Sequence, residues 1–120
     1  MLNKLLTSAI TMTVLDTVYL TLNRSMFETQ VFDVQKKNMN ITIASAVACY
    51  IFLVFGLYYF ILREKKSVLD AFLFGLVIYG VYETTNYAIF NNWKLSTVII
   101  DTLWGGILLA STTYITYRIS

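Results

Sequence analysis

The strongest constraint on the fold comes from residues 82–106, which carry Glu83, Asn86, Asp101 and Trp104 inside two otherwise apolar stretches. A helix needs about 20 apolar residues to cross a bilayer, and each stretch is close to that length. An ionised carboxylate at the centre of a spanning helix costs about 2.5–3.5 kcal/mol, so such a residue faces the protein interior or a wet cavity. We therefore expect Glu83 and Asp101 to point away from lipid.

The composition supports a membrane protein. The chain has 120 residues, of which 58% are hydrophobic and 13% charged, whereas a soluble domain carries about 25% charged residues. The net charge of +2 is scattered along the chain, which argues against a nucleic-acid partner. There is no histidine, so histidine metal sites and Ser-His or Cys-His nucleophiles are excluded. No cofactor is implied, and the one cysteine, Cys49, reads as a small buried side chain.

Hydropathy predicts one transmembrane domain over residues 1–120. The four predicted spans cover roughly residues 5–22, 41–62, 68–90 and 95–117. Residues 24–40 are the only long polar segment, and apolar side chains among their charges predict an interfacial loop or helix. Ser67 followed by Asp70 indicates the capped start of the third helix. The predicted fold class is an all-α membrane protein, a four-helix antiparallel transmembrane bundle.

Helix geometry places three carboxyl groups in one layer of this bundle. With a rise of 1.5 Å per residue, Asp16 lies about 10 Å before the end of its span and Glu83 about 11 Å before the end of its own. Asp101 lies about 9 Å after the start of the last span. In an antiparallel bundle these three helix ends share one membrane face. We therefore expect the carboxyl groups to line one polar cavity on the side of the long loop.

Neighbouring polar and aromatic residues extend this candidate site. Tyr79, Tyr82 and Asn86 share a helical face with Glu83, and Trp104 lies one turn beyond Asp101. The Trp104 indole N–H is placed to donate to a carboxylate across the bundle. Trp93 lies in a turn and reads as an interfacial anchor. The predicted substrate- or ion-binding residues are Asp16, Glu83, Asn86, Asp101, Trp104, Tyr79 and Tyr82.

Four interpretations of the acidic layer stay open. It could be a hydrogen-bonded polar core that fixes helix pairing, or a site that binds or passes a proton, a cation or a small polar solute. It could belong to an enzyme that acts on a lipid, with Glu83 or Asp101 as general base. A carboxylate metal site is the fourth interpretation, although no spacing fixes its geometry.

The working hypothesis is binding or passage of a proton, cation or small polar solute. In it, Asp101 is the permanent negative charge and Glu83 exchanges a proton. The partners implied are membrane lipids, the polar ligand and, for a continuous pathway, further copies of the chain in a homo-oligomer. The alternatives are a lipid-associated enzyme or accessory protein of membrane lipid modification, and a structural or assembly subunit. Whether the protein is an enzyme is left open.

Three segments carry a family resemblance. The segment YETTNYA at residues 82–88, then Trp93, then DTLWG at residues 101–105 resembles the signature of a family of small predicted membrane proteins. That family, found mainly in bacteria, is catalogued as domain of unknown function 2177. Its pattern is a Tyr-Asp-x-Thr-Asn element, a tryptophan, and an Asp-x-x-Trp-Gly element. The segment DTVYL at residues 16–20 resembles the family's Asp-x-x-Trp-Leu motif.

The resemblance covers essentially the whole chain, with two departures. Glu83 stands where the family pattern has aspartate, and Tyr19 where it often has tryptophan. The resemblance implies a four-helix membrane fold and no established activity, although an association of bacterial members with lipid-modification genes favours the lipid alternative. It singles out the following site residues: Asp16, Glu83, Asn86, Asp101 and Trp104.

Overall fold

The computed structural model describes residues 2–35 and 43–120, and these residues form helices and short turns without a strand. The helices are α1 (Leu2–Leu22), α2 (Arg24–Gln35), α3 (Ile43–Leu57, continued by a π-helical turn, Tyr58–Leu62), α4 (Val68–Ile89) and α5 (Leu95–Ile119). Four helices are long and apolar enough to cross a membrane: α1, α3 with its π-helical turn, α4 and α5. The predicted all-α membrane class is confirmed. The antiparallel order and the single domain stay predictions.

The polar segment between the first two spans is helical over α2. The end of the predicted loop 24–40 and the predicted start of the second span at residue 41 lie outside the described residues. α2 is not among the candidate spans, in agreement with a segment that does not cross the bilayer.

α5 is the central helix. In its most apolar window 44% of the residues are buried, against 17–22% in the other three spans. It packs along α4 and against α1, and α1 packs against α3. The apolar core between these helices contains Met12, Leu57, Leu62, Leu108 and Leu109, all with 0% exposure. This core adjoins the polar site, because Leu53 belongs to the core and also borders the cavity of that site.

α4 and α5 approach each other at two glycines. A Cβ atom on Gly75 would lie 2.1 Å from the carbonyl oxygen of Gly105. A Cβ atom on Gly105 would lie 2.2 Å from the Tyr79 ring. Small residues allow membrane helices to pack backbone against backbone. The contact therefore sets the spacing of the two helices that carry Glu83 and Asp101.

The outer surface of the bundle is apolar. On α1 one row of exposed apolar side chains recurs every fourth residue: Leu2, Leu6, Ile10, Val14, Val18 and Leu22. An apolar surface of this extent is unfavourable in water. Together with four spanning helices, it makes the chain an integral, multi-pass membrane protein.

α4 begins at the residue that the sequence predicts. The Ser67 hydroxyl oxygen accepts a hydrogen bond from the Asp70 backbone N–H at 3.0 Å. We expect Ser67→Ala to lower the free energy of unfolding by about 1 kcal/mol, because one backbone N–H loses its partner. Unfolding with a denaturing detergent, followed by circular dichroism, measures this loss. Ser96→Ala, at an exposed position in the first turn of α5, is the matched control, and an equal loss in both variants would contradict the capping role.

Candidate functional site

Asp16 is the most completely hydrogen-bonded carboxylate of the site. Its side chain is 7% exposed. The Trp104 indole N–H donates to Oδ1 at 2.9 Å, and the Tyr50 hydroxyl donates to Oδ2. The predicted bond from Trp104 across the bundle is therefore confirmed, whereas Tyr50 was not expected to take part. Because both oxygens accept a hydrogen bond, these contacts suit an ionised carboxylate.

Asp101 accepts a hydrogen bond from Tyr19, whose ring stacks on Trp104. The Tyr19 hydroxyl donates to its Oδ1 at 3.1 Å. The Tyr19 ring stacks on Trp104 with 4.5 Å between the ring centres and an interplanar angle of 5°. Two stacked aromatic donors thus connect α1 to α5, one bonding Asp101 and the other Asp16.

Glu83 is fully buried, with 0% exposure. The Trp93 indole N–H donates to Oε1 at 2.8 Å, but Oε2 receives no hydrogen bond from any N–H or O–H of the described residues. The carboxyl group of Asp101 lies within hydrogen-bonding reach of Glu83. Two carboxylates so close repel each other, and a proton or a cation between them removes the repulsion.

Trp93 does not lie where the sequence predicts. It is 8% exposed, and its indole reaches from the turn between α4 and α5 to Glu83. The interpretation as an interfacial anchor is wrong. The turn allows this because the Trp93 backbone N–H bonds the Phe90 carbonyl at 3.3 Å, which brings the side chain back over the end of α4.

The carboxyl groups border a cavity of about 780 Å³. Residues of α1, α3 and α4 form its sides, Asp101 of α5 contributes to the same wall as Glu83, and α2 covers it with Arg24, Phe27 and Val31. Its apolar walls come from four helices: Leu20, Phe27, Val31, Leu53 and Ile78. The cavity therefore combines three carboxyl groups with largely apolar walls.

The other predicted site residues differ in their positions. Tyr79 and Tyr82 both line the cavity, although Tyr82 is 58% exposed. Asn86 is buried one turn beyond Glu83 but is not among the lining residues. Cys49 lines the cavity and is exposed, so the prediction of a buried thiol is wrong.

Basic residues are separated from the carboxyl layer. Arg24 lies at the mouth of the cavity, where it bonds Glu28 at 2.6 Å. The hydrogen bond and the opposite charge of Glu28 raise the pKa of Arg24 above its usual value, so its guanidinium stays charged. Among the described residues, no lysine or arginine forms an ion pair with the three buried acids, and no group of three or more ligand side chains is arranged for a metal ion.

Gln30 fixes α2 over the site. It is 1% exposed, and its Oε1 accepts hydrogen bonds from the Lys94 backbone N–H at 2.8 Å and from the Thr97 hydroxyl at 3.0 Å. Its Nε2 donates to the Asn92 carbonyl oxygen. A residue of α2 therefore caps the start of α5, and no spacing in the sequence indicates this long-range contact.

Comparison with known proteins identifies the family but gives no specific activity. The family model described as "Predicted membrane protein (DUF2177)" matches residues 1–118. Neither a curated protein nor a solved structure matches the chain. Since the match spans almost all of the 120 residues, the chain belongs to this family of predicted membrane proteins.

Proposed function

We propose that this membrane protein binds a small solute with a cationic group in the cavity between α1, α3 and α4. The observation that carries the proposal is Glu83, a fully buried carboxyl group with an oxygen that has no donor, next to a second carboxyl group. Intramembrane acids commonly mark ligand or ion sites because burying them otherwise costs free energy. A bound cation offsets that cost here.

The hydrogen bonds suggest a division of roles among the three acids. Asp16, with a donor on each oxygen, suits the permanent negative charge that the sequence assigned to Asp101. Glu83 and Asp101 form the exchangeable pair, which holds either a proton or the cationic group of the ligand. Binding of the cation then releases a proton from the pair.

The surroundings of the cavity favour binding over passage. Beyond the carboxyl layer lies the packed apolar core of Met12, Leu57, Leu108 and Leu109. A charged solute would lose its hydration there without gaining a partner. A purely structural role is the second candidate, because each of the three acids accepts a hydrogen bond from an aromatic side chain.

The single cysteine of the chain provides the test. Cys49 lines the cavity, so its reaction rate with cationic and anionic thiosulfonates of equal size reports the potential there. Each rate is divided by the rate of that reagent with free cysteine. We expect the cationic reagent to be favoured by about 10-fold, because clefts lined by one sign of charge concentrate the opposite sign. The rate ratio cancels changes in thiolate fraction.

A double variant separates binding from structure. Glu83→Gln with Asp101→Asn removes the charge of the pair. The ratio of the cationic to the anionic labelling rate should then fall to the value that the charge of Asp16 alone produces. Glu64→Gln with Asp70→Asn makes the same two amide substitutions at exposed positions outside the cavity, where they remove at least as much negative charge, and should leave the ratio unchanged. An equal rate for both reagents in the wild type would refute the cation site and leave the structural role.

A further inference from the structure

We infer that the ligand of this cavity is an amphipathic amine, a molecule with one cationic nitrogen on a flexible apolar chain. The inference rests on the proposed function and adds the class of ligand. It depends on two observations besides the acidic cluster: the buried Glu83 oxygen without a donor, and the size and lining of the cavity.

The cavity is too large for an inorganic ion. A water molecule takes about 30 Å³ of liquid volume, whereas the cavity measures about 780 Å³. Sites of about 300–1,000 Å³ hold organic ligands. A bare cation at the Glu83–Asp101 pair would leave most of this space empty. The volume therefore favours a ligand with an organic part, its body, attached to the cationic group.

The walls define the chemistry of that body. Leu20 of α1, Leu53 of α3 and Ile78 of α4 line the cavity, and Phe27 and Val31 of α2 cover it. A polar or highly hydroxylated body would lose its hydrogen bonds to water against these side chains. An alkyl chain gains free energy from the same contact. The body of the ligand is therefore apolar.

The acidic residues of the cavity define the head group. No N–H or O–H of the described residues donates to Glu83 Oε2, and an ammonium group supplies up to three donors while cancelling the repulsion between Glu83 and Asp101. Tyr19 and Tyr79 also line the cavity, and aromatic faces attract cations. A carboxylate or phosphate head group would be repelled by the three acids. A neutral alcohol would supply a donor but no charge.

A series of alkylamines tests the inference in the full-length protein, held in lipid nanodiscs. The readout is the amine concentration that halves the labelling rate of Cys49 by a neutral thiol reagent. We expect this concentration to fall about 4-fold for each added methylene, or about 60-fold from propylamine to hexylamine. 1-Hexanol, which has the same chain without the charge, should protect at least 10-fold less well than hexylamine.

Two isoleucine variants distinguish cavity binding from partition into the bilayer. Ile78→Phe reduces the apolar part of the cavity and should weaken protection by hexylamine at least 10-fold. Ile99→Phe makes the same change at an exposed position on α5 that does not line the cavity, and it should leave protection unchanged. Equal effects in the two variants would show that the amine acts from the bilayer and would overturn the inference.

The outcomes also separate this inference from the proposed function. If propylamine and hexylamine protect equally while labelling stays selective for the cationic reagent, the cation site stands and the amphipathic ligand is refuted. Protection by hexanol equal to that by hexylamine would likewise refute the amine. Absence of both protection and charge selectivity would refute both proposals.

Discussion

Replacing Gly75 with alanine is expected to disrupt the packing of α4 on α5 and to cost about 3 kcal/mol or more. The new Cβ atom would lie 2.1 Å from the Gly105 carbonyl oxygen and 2.9 Å from the Gly106 Cα. These are backbone atoms of a helix, which cannot rotate away as a side chain would. Overpacking of this kind costs about 1–3 kcal/mol where side chains yield, so a backbone clash belongs at the upper end or beyond. Detergent-induced unfolding, monitored by tryptophan fluorescence, measures the loss.

Gly80→Ala is the matched control on the same helix. Its Cβ atom would lie 3.6 Å from the Thr102 methyl group, which is an ordinary contact. Alanine is also favoured over glycine inside a helix by about 1 kcal/mol. We therefore expect Gly80→Ala to be neutral or stabilising. If Gly75→Ala were as stable as Gly80→Ala, the close approach at Gly75 and Gly105 would be refuted. The helix spacing that positions Glu83 and Asp101 would be refuted with it.

Asp16→Asn is the second substitution with a large expected effect, a loss of about 2 kcal/mol in the free energy of unfolding. The asparagine oxygen can accept from only one of the present donors, Trp104 or Tyr50, and the amide NH₂ faces the other. Both charge-assisted hydrogen bonds are lost and only neutral ones can replace them, and a bond to Tyr50 requires its hydroxyl to accept instead of donate. Hydrogen bonds to charged groups contribute about 1.5–3 kcal/mol against about 1 kcal/mol for neutral ones.

Glu83→Gln is the control variant for Asp16→Asn. Its amide oxygen can still accept from the Trp93 indole, and its NH₂ can donate to Asp101, as a protonated glutamate would. We expect its stability to be within about 0.5 kcal/mol of the wild type. A loss in Glu83→Gln as large as that in Asp16→Asn would contradict the assignment of Asp16 as the fixed charge. Unfolding free energies of the two variants under identical lipid and detergent conditions decide this.

The features of this chain that follow from its sequence are those that depend on one helix at a time. Hydropathy alone gives the four spanning helices, because the cost of lipid-exposed polar backbone leaves few alternatives. The rise per residue gives the depth of Asp16, Glu83 and Asp101, and the structure places all three around one cavity. The face shared by Asp101 and Trp104 leads to the indole bond across the bundle.

The features that sequence reasoning missed depend on pairs of helices. Tyr50 lies in a span without acidic or basic residues, and nothing local shows that it faces Asp16 of α1. Gln30 lies in a polar segment where burial is unexpected, yet it bonds residues more than 60 positions away. The prediction for Trp93 is wrong because an aromatic residue in a turn usually marks the interface, whereas the turn here folds it onto Glu83.

The long-range bonds of Asp16 also bear on the order in which the chain enters the membrane during synthesis. Its donors lie 34 and 88 residues further along the chain, in the second and fourth spans. α1 is made before either donor, so it carries an unpaired acid whose insertion costs about 2.5–3.5 kcal/mol near the centre of a bilayer. The bond from Tyr50 becomes available with the second span and the bond from Trp104 only with the fourth, so the first helix gains its complete set of hydrogen bonds only after the fourth span has been made.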